Sequence, residues 1–164
     1  MTGRPIVAVV GEAVTEPERW EIARELGERI ARKGWILVTG GLSGIMEAAS
    51  RGAAEAGGAV VGILPQGSTE AANKFVTVPI ATNMGHARNV IIAHTADMMV
   101  AVGGSLGTLS EIAIARKLGK PVFSIRSWEV GDAVTVKDAA EAVEACQRHL
   151  DLLYATIVKK EPTR

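Results

Sequence analysis

Strands and helices alternate along the chain, and this alternation predicts an α/β domain with a mostly parallel sheet and helices on both faces. Uninterrupted apolar runs, such as Met98–Val102, are typical of strands buried on both faces. Two of these runs lead into a glycine-rich turn and then a helical pattern. Because 164 residues suit one domain with a full core, we expect a single Rossmann-like, three-layer domain over 1–150.

In the first half of the chain, the predicted strands are followed by turns and helices. The β-branched run 6–10 predicts a buried strand, and Gly11 and Glu12 form its turn. Apolar residues spaced about 3.6 apart predict a helix over 15–33, which Gly34 ends. The other elements predicted in this half are a strand over 35–38, a turn over 39–44, a helix over 45–56 and a strand over 59–64.

The second half begins with a polar segment, 65–74, that predicts a loop. Residues 75–80 are expected to form a short strand, which Pro79 confines to an edge of the sheet. The tail, 151–164, ends in charged residues and Pro162, and we expect it to be partly disordered. The remaining predicted elements are a helix capped by Thr82 or Asn83 that runs to 95, a strand over 98–102, a helix that ends at Gly119, a strand over 121–125, a loop over 127–134 and a last helix over 135–150.

Composition and charge narrow the function classes. Apolar residues make up 48% of the chain and charged residues 22%, which is typical of a soluble globular protein. The formal net charge is zero and aromatic residues are only 4%, whereas proteins that bind nucleic acid usually carry a basic excess and stacking side chains. We therefore expect no nucleic-acid partner.

Cysteine usage and the N-terminus bear on metal content and compartment. Cys146 is the only cysteine, which excludes an internal disulfide and a cysteine cluster for zinc, and no spacing of His, Asp and Glu suggests another metal site. The first residues lack a signal-peptide pattern, and no apolar run approaches the roughly 20 residues that span a bilayer. We expect a cytoplasmic protein with no metal, no cofactor and no membrane partner.

The stretch 103–111 carries the strongest functional signal. Its glycines let a ligand approach the main chain, and the free N–H groups of the helix that follows attract an anion such as phosphate. Glu111 lies one turn into that helix, where a carboxylate can receive a ribose hydroxyl or act on a proton. An alternative stays open, because Thr108 and Glu111 have the spacing of a capping box. The predicted phosphate-binding residues are Gly103, Gly104, Ser105, Leu106, Gly107 and Thr108.

Two further turns are expected to join this one. In a parallel sheet, ligands bind beyond the carboxyl ends of the strands, where the strand order reverses. Both glycine clusters read G-G-x-x-G rather than the dinucleotide pattern G-x-G-x-x-G, so the sequence favours a mononucleotide or another phosphate ester. The further residues expected at the ligand are Gly11 and Glu12 after the first strand, and Gly40, Gly41, Ser43 and Gly44 after the second.

Arg88 is the remaining candidate for a functional role. It lies near the start of a predicted helix in which 90–93 are consecutive apolar residues, so this helix must be buried on more than one side. An arginine in such surroundings is either paired with a carboxylate or directed at a ligand. His86, two residues earlier, is interpreted as a capping or surface residue.

Two of these motifs resemble those of a known family. Residues 103–111, Gly-Gly-Ser-Leu-Gly-Thr-Leu-Ser-Glu, are similar to the P-G-G-x-G-T-x-x-E motif of the LONELY GUY (LOG) family, and 40–46 resemble its G-G-x-x-G-L-M turn. The resemblance covers roughly 6–125. Asn89 stands in place of the lysine of the family's Arg-Lys pair and Val102 in place of the motif's proline, so the chain is more similar to the branch with molybdenum cofactor carrier proteins.

The resemblance implies an activity and site residues. Family members are Rossmann-like and usually dimeric. The well-understood ones are phosphoribohydrolases, which cleave the N-glycosidic bond of a nucleoside 5'-monophosphate to a base and ribose 5-phosphate. The implied catalytic residues are Arg88 and Glu111, and the implied phosphate turn is 104–108.

Other interpretations stay open. The similarity to the carrier branch implies an alternative function, a non-catalytic carrier or sensor of molybdenum cofactor or of a nucleotide. A distant similarity to the fold of DNA-processing protein A suggests binding of single-stranded DNA, against which the zero net charge argues. A homodimer or higher homo-oligomer is also expected, because the predicted helices around 90–93 and 109–118 carry more apolar surface than one sheet face needs.

Overall fold

The computed structural model describes residues 3–158, in which a parallel sheet lies between two layers of helices. Its strands are β1 (Ile6–Gly11), β2 (Ile36–Thr39), β3 (Val60–Leu64), β4 (Val78–Ala81), β5 (Met98–Val102), β6 (Val122–Ile125) and β7 (Val134–Thr135). Its helices are α1 (Pro17–Arg32), α2 (Ile45–Glu55), α3 (Arg88–Thr95), α4 (Leu106–Lys117) and α5 (Ala139–Val158), and the 3₁₀ turn Gly85–Ala87 directly precedes α3. The predicted three-layer α/β fold is confirmed.

The strand order places the switch point of the sheet between β1 and β5. The order is β4-β3-β2-β1-β5-β6-β7, and every neighbouring pair runs parallel. The chain moves outward from β1 to β4 and then returns, so that β5 pairs with the other side of β1. At the carboxyl ends of these two strands Gly11 pairs with Val102. Parallel α/β sheets bind their ligands at such a position.

Two apolar clusters hold the helices against the sheet. α1, α2 and α5 pack on one face, through residues that include Leu26 and Ile45. α3 and α4 pack on the other face, through residues that include Ile92 and Ile112. All of β5 is buried, as its uninterrupted apolar run predicts. None of the helices within 3–158 combines the length and apolar character needed to cross a membrane.

The start of α3 and the strand β7 differ from the prediction. α3 begins at Arg88 rather than near 83, because Asn83 and Gly85 adopt positive φ values of 52° and 54°, which an α-helix does not allow. The two-residue strand β7 forms where the predicted loop ends and the last helix is predicted to begin, and it becomes an edge of the sheet beside β6, so α5 begins only at Ala139. The predicted edge position of Pro79 is confirmed, since β4 forms the opposite edge.

The last helix is longer than the sequence predicts. α5 continues to Val158, well beyond the predicted end at Leu150. Because 151–158 contains neither glycine nor proline, nothing in that stretch interrupts the helix. The rest of the predicted tail, 159–164, lies outside the described residues, and the division into a domain over 1–150 and a separate tail stays a prediction.

Two glycines set the distance between α1 and α2. A Cβ added at Gly27 would lie 1.9 Å from the carbonyl oxygen of Ala49, and one added at Gly52 would lie 1.8 Å from that of Arg24. The two helices therefore meet backbone to backbone at both points, where only a residue without a side chain fits. This crossing fixes α2, whose first turn reaches the switch point of the sheet.

Gly52→Ala is expected to destabilise the fold, although alanine is the better helix former, because its methyl group has no room beside α1. Overpacking of this kind costs about 1–3 kcal/mol in the free energy of unfolding, which urea titration measures. Gly107→Ala is the matched control, since the nearest atom to an added Cβ lies 3.5 Å away and alanine should raise stability by up to about 1 kcal/mol. Equal effects of the two substitutions would contradict the close crossing.

Candidate functional site

A cavity of about 170 Å³ opens beyond the carboxyl ends of β1 and β5. The turns after β1 and β2, the start of α2, the segment that leads into α3 and the first two turns of α4 all contribute to it. It is lined by Val10, Gly11, Ala13, Leu42, Met46, His86, Arg88, Asn89, Ser105, Gly107, Thr108 and Glu111.

Arg88, the first residue of α3, is buried in the wall of this cavity. Gly40 provides the space for its guanidinium, since a Cβ at Gly40 would lie 2.5 Å from Nη1 and 2.6 Å from Nη2. The buried Nε has no hydrogen-bond partner among residues 3–158. Burial of a cation with an unpaired donor costs desolvation free energy, which a nearby anion can offset. The guanidinium is therefore available to bind a negatively charged ligand.

Glu111, in the second turn of α4, is the carboxyl that faces this cation. Its Oε1 lies 3.6 Å from Nη1 of Arg88, which is too long for a hydrogen bond, and its side chain is 9% exposed. Burial raises the pKa of Glu111 to about 7, although the charge of Arg88 opposes that rise. Burial also lowers the pKa of Arg88, and the Glu111 carboxylate opposes that change. A carboxyl whose pKa is raised toward neutral pH suits a general acid or base.

The capping-box interpretation of Glu111 is wrong. α4 begins at Leu106, with Ser105 as the residue that caps it, and the backbone N–H of Ser105 donates to Oγ1 of Thr108 over 3.2 Å. Thr108 thus completes a cap one turn earlier than the sequence interpretation places it. Glu111 lies too far along the helix to reach the cap, and its side chain is left to face the cavity.

Glu12 binds the glycine-rich turn before α4 rather than lining the cavity. Its carboxylate accepts the N–H of Gly104 over 2.7 Å, the hydroxyl of Thr15 over 2.9 Å and the Nε–H of Arg19 over 2.7 Å. Burial acts to raise the pKa of Glu12, but these hydrogen bonds and the Arg19 charge outweigh it and lower the pKa. A charged Glu12 therefore holds the turns after β1 and β5 together. Gly103, with φ of 58°, leaves room for this carboxylate.

The second glycine-rich turn, 40–44, packs against the turn after β1. The backbone N–H of Ile45 donates to the carbonyl of Glu12 over 3.0 Å, and the hydroxyl of Ser43 donates to the carbonyl of Ala13 over 3.0 Å. Gly44 has φ of 67°, and a Cβ there would lie 2.3 Å from the carbonyl oxygen of Glu12. This turn supports the cavity and contributes Leu42 to its wall.

The structure brings part of the predicted site together at the cavity. The predicted residues that line it are Gly11, Arg88, Ser105, Gly107, Thr108 and Glu111. The predicted residues that lie in the adjoining turns, outside the lining, are Glu12, Gly40, Gly41, Ser43, Gly44, Gly103 and Gly104. The side chain of Leu106 is 76% exposed.

Sequence reasoning did not identify two polar residues of the cavity wall. His86, interpreted as a capping or surface residue, is exposed but also lines the cavity. Asn89 is buried beside Arg88, and its Nδ2 donates to Oγ of Ser110 over 2.9 Å. The signal that could have identified Asn89 is its position as a second polar residue next to Arg88 in an otherwise apolar helix. Among residues 3–158, no three histidine, cysteine or acidic side chains converge into a metal-binding group.

The fold and the cavity define a Rossmann-like α/β protein in which glycine-rich turns and a helix N-terminus surround a small cavity at the switch point of a parallel sheet. Within this class, the model of the SLOG cluster4 family matches residues 4–156. The chain belongs to this family. The resemblance to LOG-type proteins, which the two glycine-rich motifs indicate, is thereby confirmed.

Known relatives include both an enzyme and a binding protein. An uncharacterised protein from Archaeoglobus fulgidus is 47% identical over 141 residues, which are 85% of this chain and 93% of that protein. Cytokinin riboside 5'-monophosphate phosphoribohydrolase from Mycobacterium tuberculosis is 33% identical over 138 residues, which are 78% of this chain and 74% of that enzyme. The molybdenum cofactor binding protein from Rippkaea orientalis has a similar structure, with a TM-score of 0.87 and 33% identity over 92% of this chain and 99% of that one.

The raised pKa of Glu111 predicts a pH-dependent stability that Glu111→Gln removes. In the folded protein the pKa of Glu111 is about 7, above the ordinary value of 4.5. Protonation of Glu111 therefore stabilises the fold fully below pH 4.5, and this contribution is lost as the pH rises through 7. The loss is on the order of 3 kcal/mol in the free energy of unfolding. Urea titrations at pH 5 and pH 8 should show that the difference between wild type and Glu111→Gln changes with pH. A constant difference would contradict the buried position of this carboxyl.

Proposed function

We propose that this protein binds a nucleoside 5'-monophosphate in the cavity and hydrolyses its N-glycosidic bond, which releases the base and ribose 5-phosphate. The position of Glu111 carries the proposal, because its carboxyl is buried in the cavity wall, 3.6 Å from Arg88, with a pKa raised to about 7. The similarity to the phosphoribohydrolase of Mycobacterium tuberculosis supports the same activity.

In this proposal the phosphate binds at the N-terminus of α4. The N–H groups of the first helical turn have no acceptor within the helix, and the helix dipole favours an anion there. Gly107 and Thr108 line the cavity at this end of α4. The N–H of Gly104 already donates to Glu12, and the N–H groups of Ser105 and Thr108 take part in the helix cap, so the donors left for the phosphate are the N–H groups of Leu106 and Gly107. Arg88 supplies a full positive charge to the ligand from α3.

The bond to the base would break as the ribose gains positive character at C1', which a nearby carboxylate stabilises. Ionised Glu111 accepts a proton from a water molecule, and the oxygen of that water bonds to C1'. The electron pair of the C1'–N bond leaves with the base, which takes up a proton. Glu111 can also bind a ribose hydroxyl, and Arg88 holds the ribose or the phosphate.

A non-catalytic carrier or sensor is the second candidate. Two observations favour it: Asn89 stands where the LOG-type phosphoribohydrolases carry a lysine, and the molybdenum cofactor binding protein of Rippkaea orientalis shares the fold with a TM-score of 0.87. The cargo would be molybdenum cofactor or an uncleaved nucleotide, whose phosphate would use the same helix N-terminus. In that case Glu111 would contact the cargo without chemistry.

Incubation with AMP and with the other nucleoside monophosphates, followed by chromatography for the free base, tests the proposal. Wild-type protein is expected to release base. Glu111→Gln should lower kcat at least about 100-fold and still bind AMP, since glutamine keeps the size of the side chain but not its charge or basicity. Glu55→Gln, which changes an exposed carboxylate at the end of α2, should keep full activity.

Two results would decide against hydrolysis as proposed. Full activity of Glu111→Gln would refute the role of that carboxyl. Thermal stabilisation of the wild type by a nucleotide or by molybdopterin, without release of base, would support the carrier.

We also propose that the protein is a cytoplasmic homodimer without a nucleic-acid or membrane partner. The zero net charge and the lone buried Cys146 support this setting. Large apolar side chains are exposed on α3, on α4 and at the residue that caps the end of α4, with exposed fractions of 42% for Val90, 76% for Leu106 and 37% for Leu118. A second copy of the chain commonly covers such a surface.

Sedimentation velocity at micromolar concentration is expected to give a dimer for the wild type. Val90→Glu should shift the protein towards monomer, because a charge on α3 would be desolvated in the interface. Val134→Glu, at the β7 edge of the sheet, is the control and should leave the dimer intact. A monomeric wild type would contradict the proposed assembly.

A further inference from the structure

We infer that Asn89 makes the cavity select a nucleotide with an intact ribose over its deoxy analogues, because the side-chain oxygen of Asn89 accepts a hydrogen bond from a ribose hydroxyl. The inference rests on the proposed binding of a nucleoside monophosphate and adds the feature of that ligand which the site recognises. Asn89 would thus be a specificity-determining residue rather than a catalytic one.

Hydrogen bonds to α4 fix the orientation of the Asn89 amide. The hydroxyl of Ser110 donates to the carbonyl of Gly107 over 2.7 Å, so its oxygen is an acceptor toward Asn89. The atom of Asn89 that lies 2.9 Å from this oxygen is therefore the donor Nδ2, which also lies 3.5 Å from the carbonyl of Gly107. A flipped amide would place an acceptor against that carbonyl. The geometry therefore places Oδ1 on the side of the amide that has no hydrogen-bond partner within 3–158.

Oδ1 is the acceptor that this arrangement leaves for a ligand. Asn89 is only 6% exposed, yet it lines the cavity, and both hydrogen bonds of its side chain within 3–158 use Nδ2. Oδ1 is not among the fully buried unpaired atoms of this part of the chain, so it is accessible to a ligand, and an N–H or O–H group of that ligand can donate to it. The oxygens of a phosphate cannot, so Oδ1 does not face the phosphate itself.

The position of Asn89 matches the sugar of the proposed ligand. Its amide is tied to Gly107 and Ser110, in the first turns of α4, and Glu111 follows directly along that helix. In a nucleoside 5'-monophosphate, the ribose lies between the phosphate and the glycosidic bond, and its hydroxyls are donors. A phosphate bound at the start of α4 and a bond cleaved beside Glu111 would bring the ribose past Asn89.

Isothermal titration with AMP, 2'-deoxy-AMP and 3'-deoxy-AMP tests the inference. Wild-type protein should bind AMP about tenfold or more tightly than the analogue that lacks the contacted hydroxyl, because that analogue leaves Oδ1 unpaired. Asn89→Leu, similar in volume but without an acceptor, should bring the ratio of the two Kd values close to one. Asn89→Asp keeps an oxygen in place of Oδ1, and the Ser110 hydroxyl can rotate to donate to its second oxygen, so this variant should keep the preference for AMP.

The ratio of Kd values separates recognition of the hydroxyl by Asn89 from a purely structural role of this residue. A loosened cavity would weaken the binding of all three nucleotides by the same factor and leave the ratio unchanged. Wild type without a preference for AMP, or an unchanged preference in Asn89→Leu, would overturn the inference while nucleotide binding stands. If Asn89→Leu does not fold, loss of the preference in Asn89→Asp overturns it. Failure of the wild type to bind any of the three nucleotides would overturn the proposed function and the inference together.

Discussion

Arg88 on α3 and Glu111 on α4 place a guanidinium and a carboxyl side by side in the cavity wall, 3.6 Å apart and without a hydrogen bond between them. Burial shifts the pKa of each group toward its neutral form, and the opposite charge only partly restores the ordinary value. Such a pair contributes little to stability, because desolvation offsets the attraction. Groups kept at this cost are typical of functional sites, where a ligand supplies the missing partners.

The rest of the cavity is arranged around this pair. Gly40 has no side chain where the guanidinium lies, and the cap at Ser105 sets the start of α4 so that Glu111 faces inward. The carboxylate of Glu12 binds the N–H of Gly104 and thereby joins the turns after the two central strands. Trp128 strengthens the same turn, since its indole N–H donates to the carbonyl of Ser105 over 3.0 Å. The glycines of this site thus serve protein contacts as well as ligand access.

Local patterns in the sequence predict the parallel sheet, its edge strand at Pro79 and the glycine-rich turns. They also single out Arg88 and Glu111, because a charge in an apolar helix and a carboxylate beside a phosphate turn are local signals. The exact start of α4 is not a local property: Ser105 and Thr108 are both plausible caps, and packing of the helix on the sheet decides between them. The orientation of Asn89 likewise depends on contacts between α3 and α4, which are distant in sequence.

The buried carboxyl of Glu111 has a consequence for the energetics of ligand binding. In the proposed complex, a phosphate dianion at the start of α4 adds negative charge near Glu111, whose pKa is already raised by burial. This charge would favour the protonated form of Glu111, so binding of the proposed ligand would take up protons from the buffer. By linkage, acidification would strengthen binding of that dianion and alkaline conditions would weaken it. The proposed site would therefore couple its occupancy to the proton concentration around the protein.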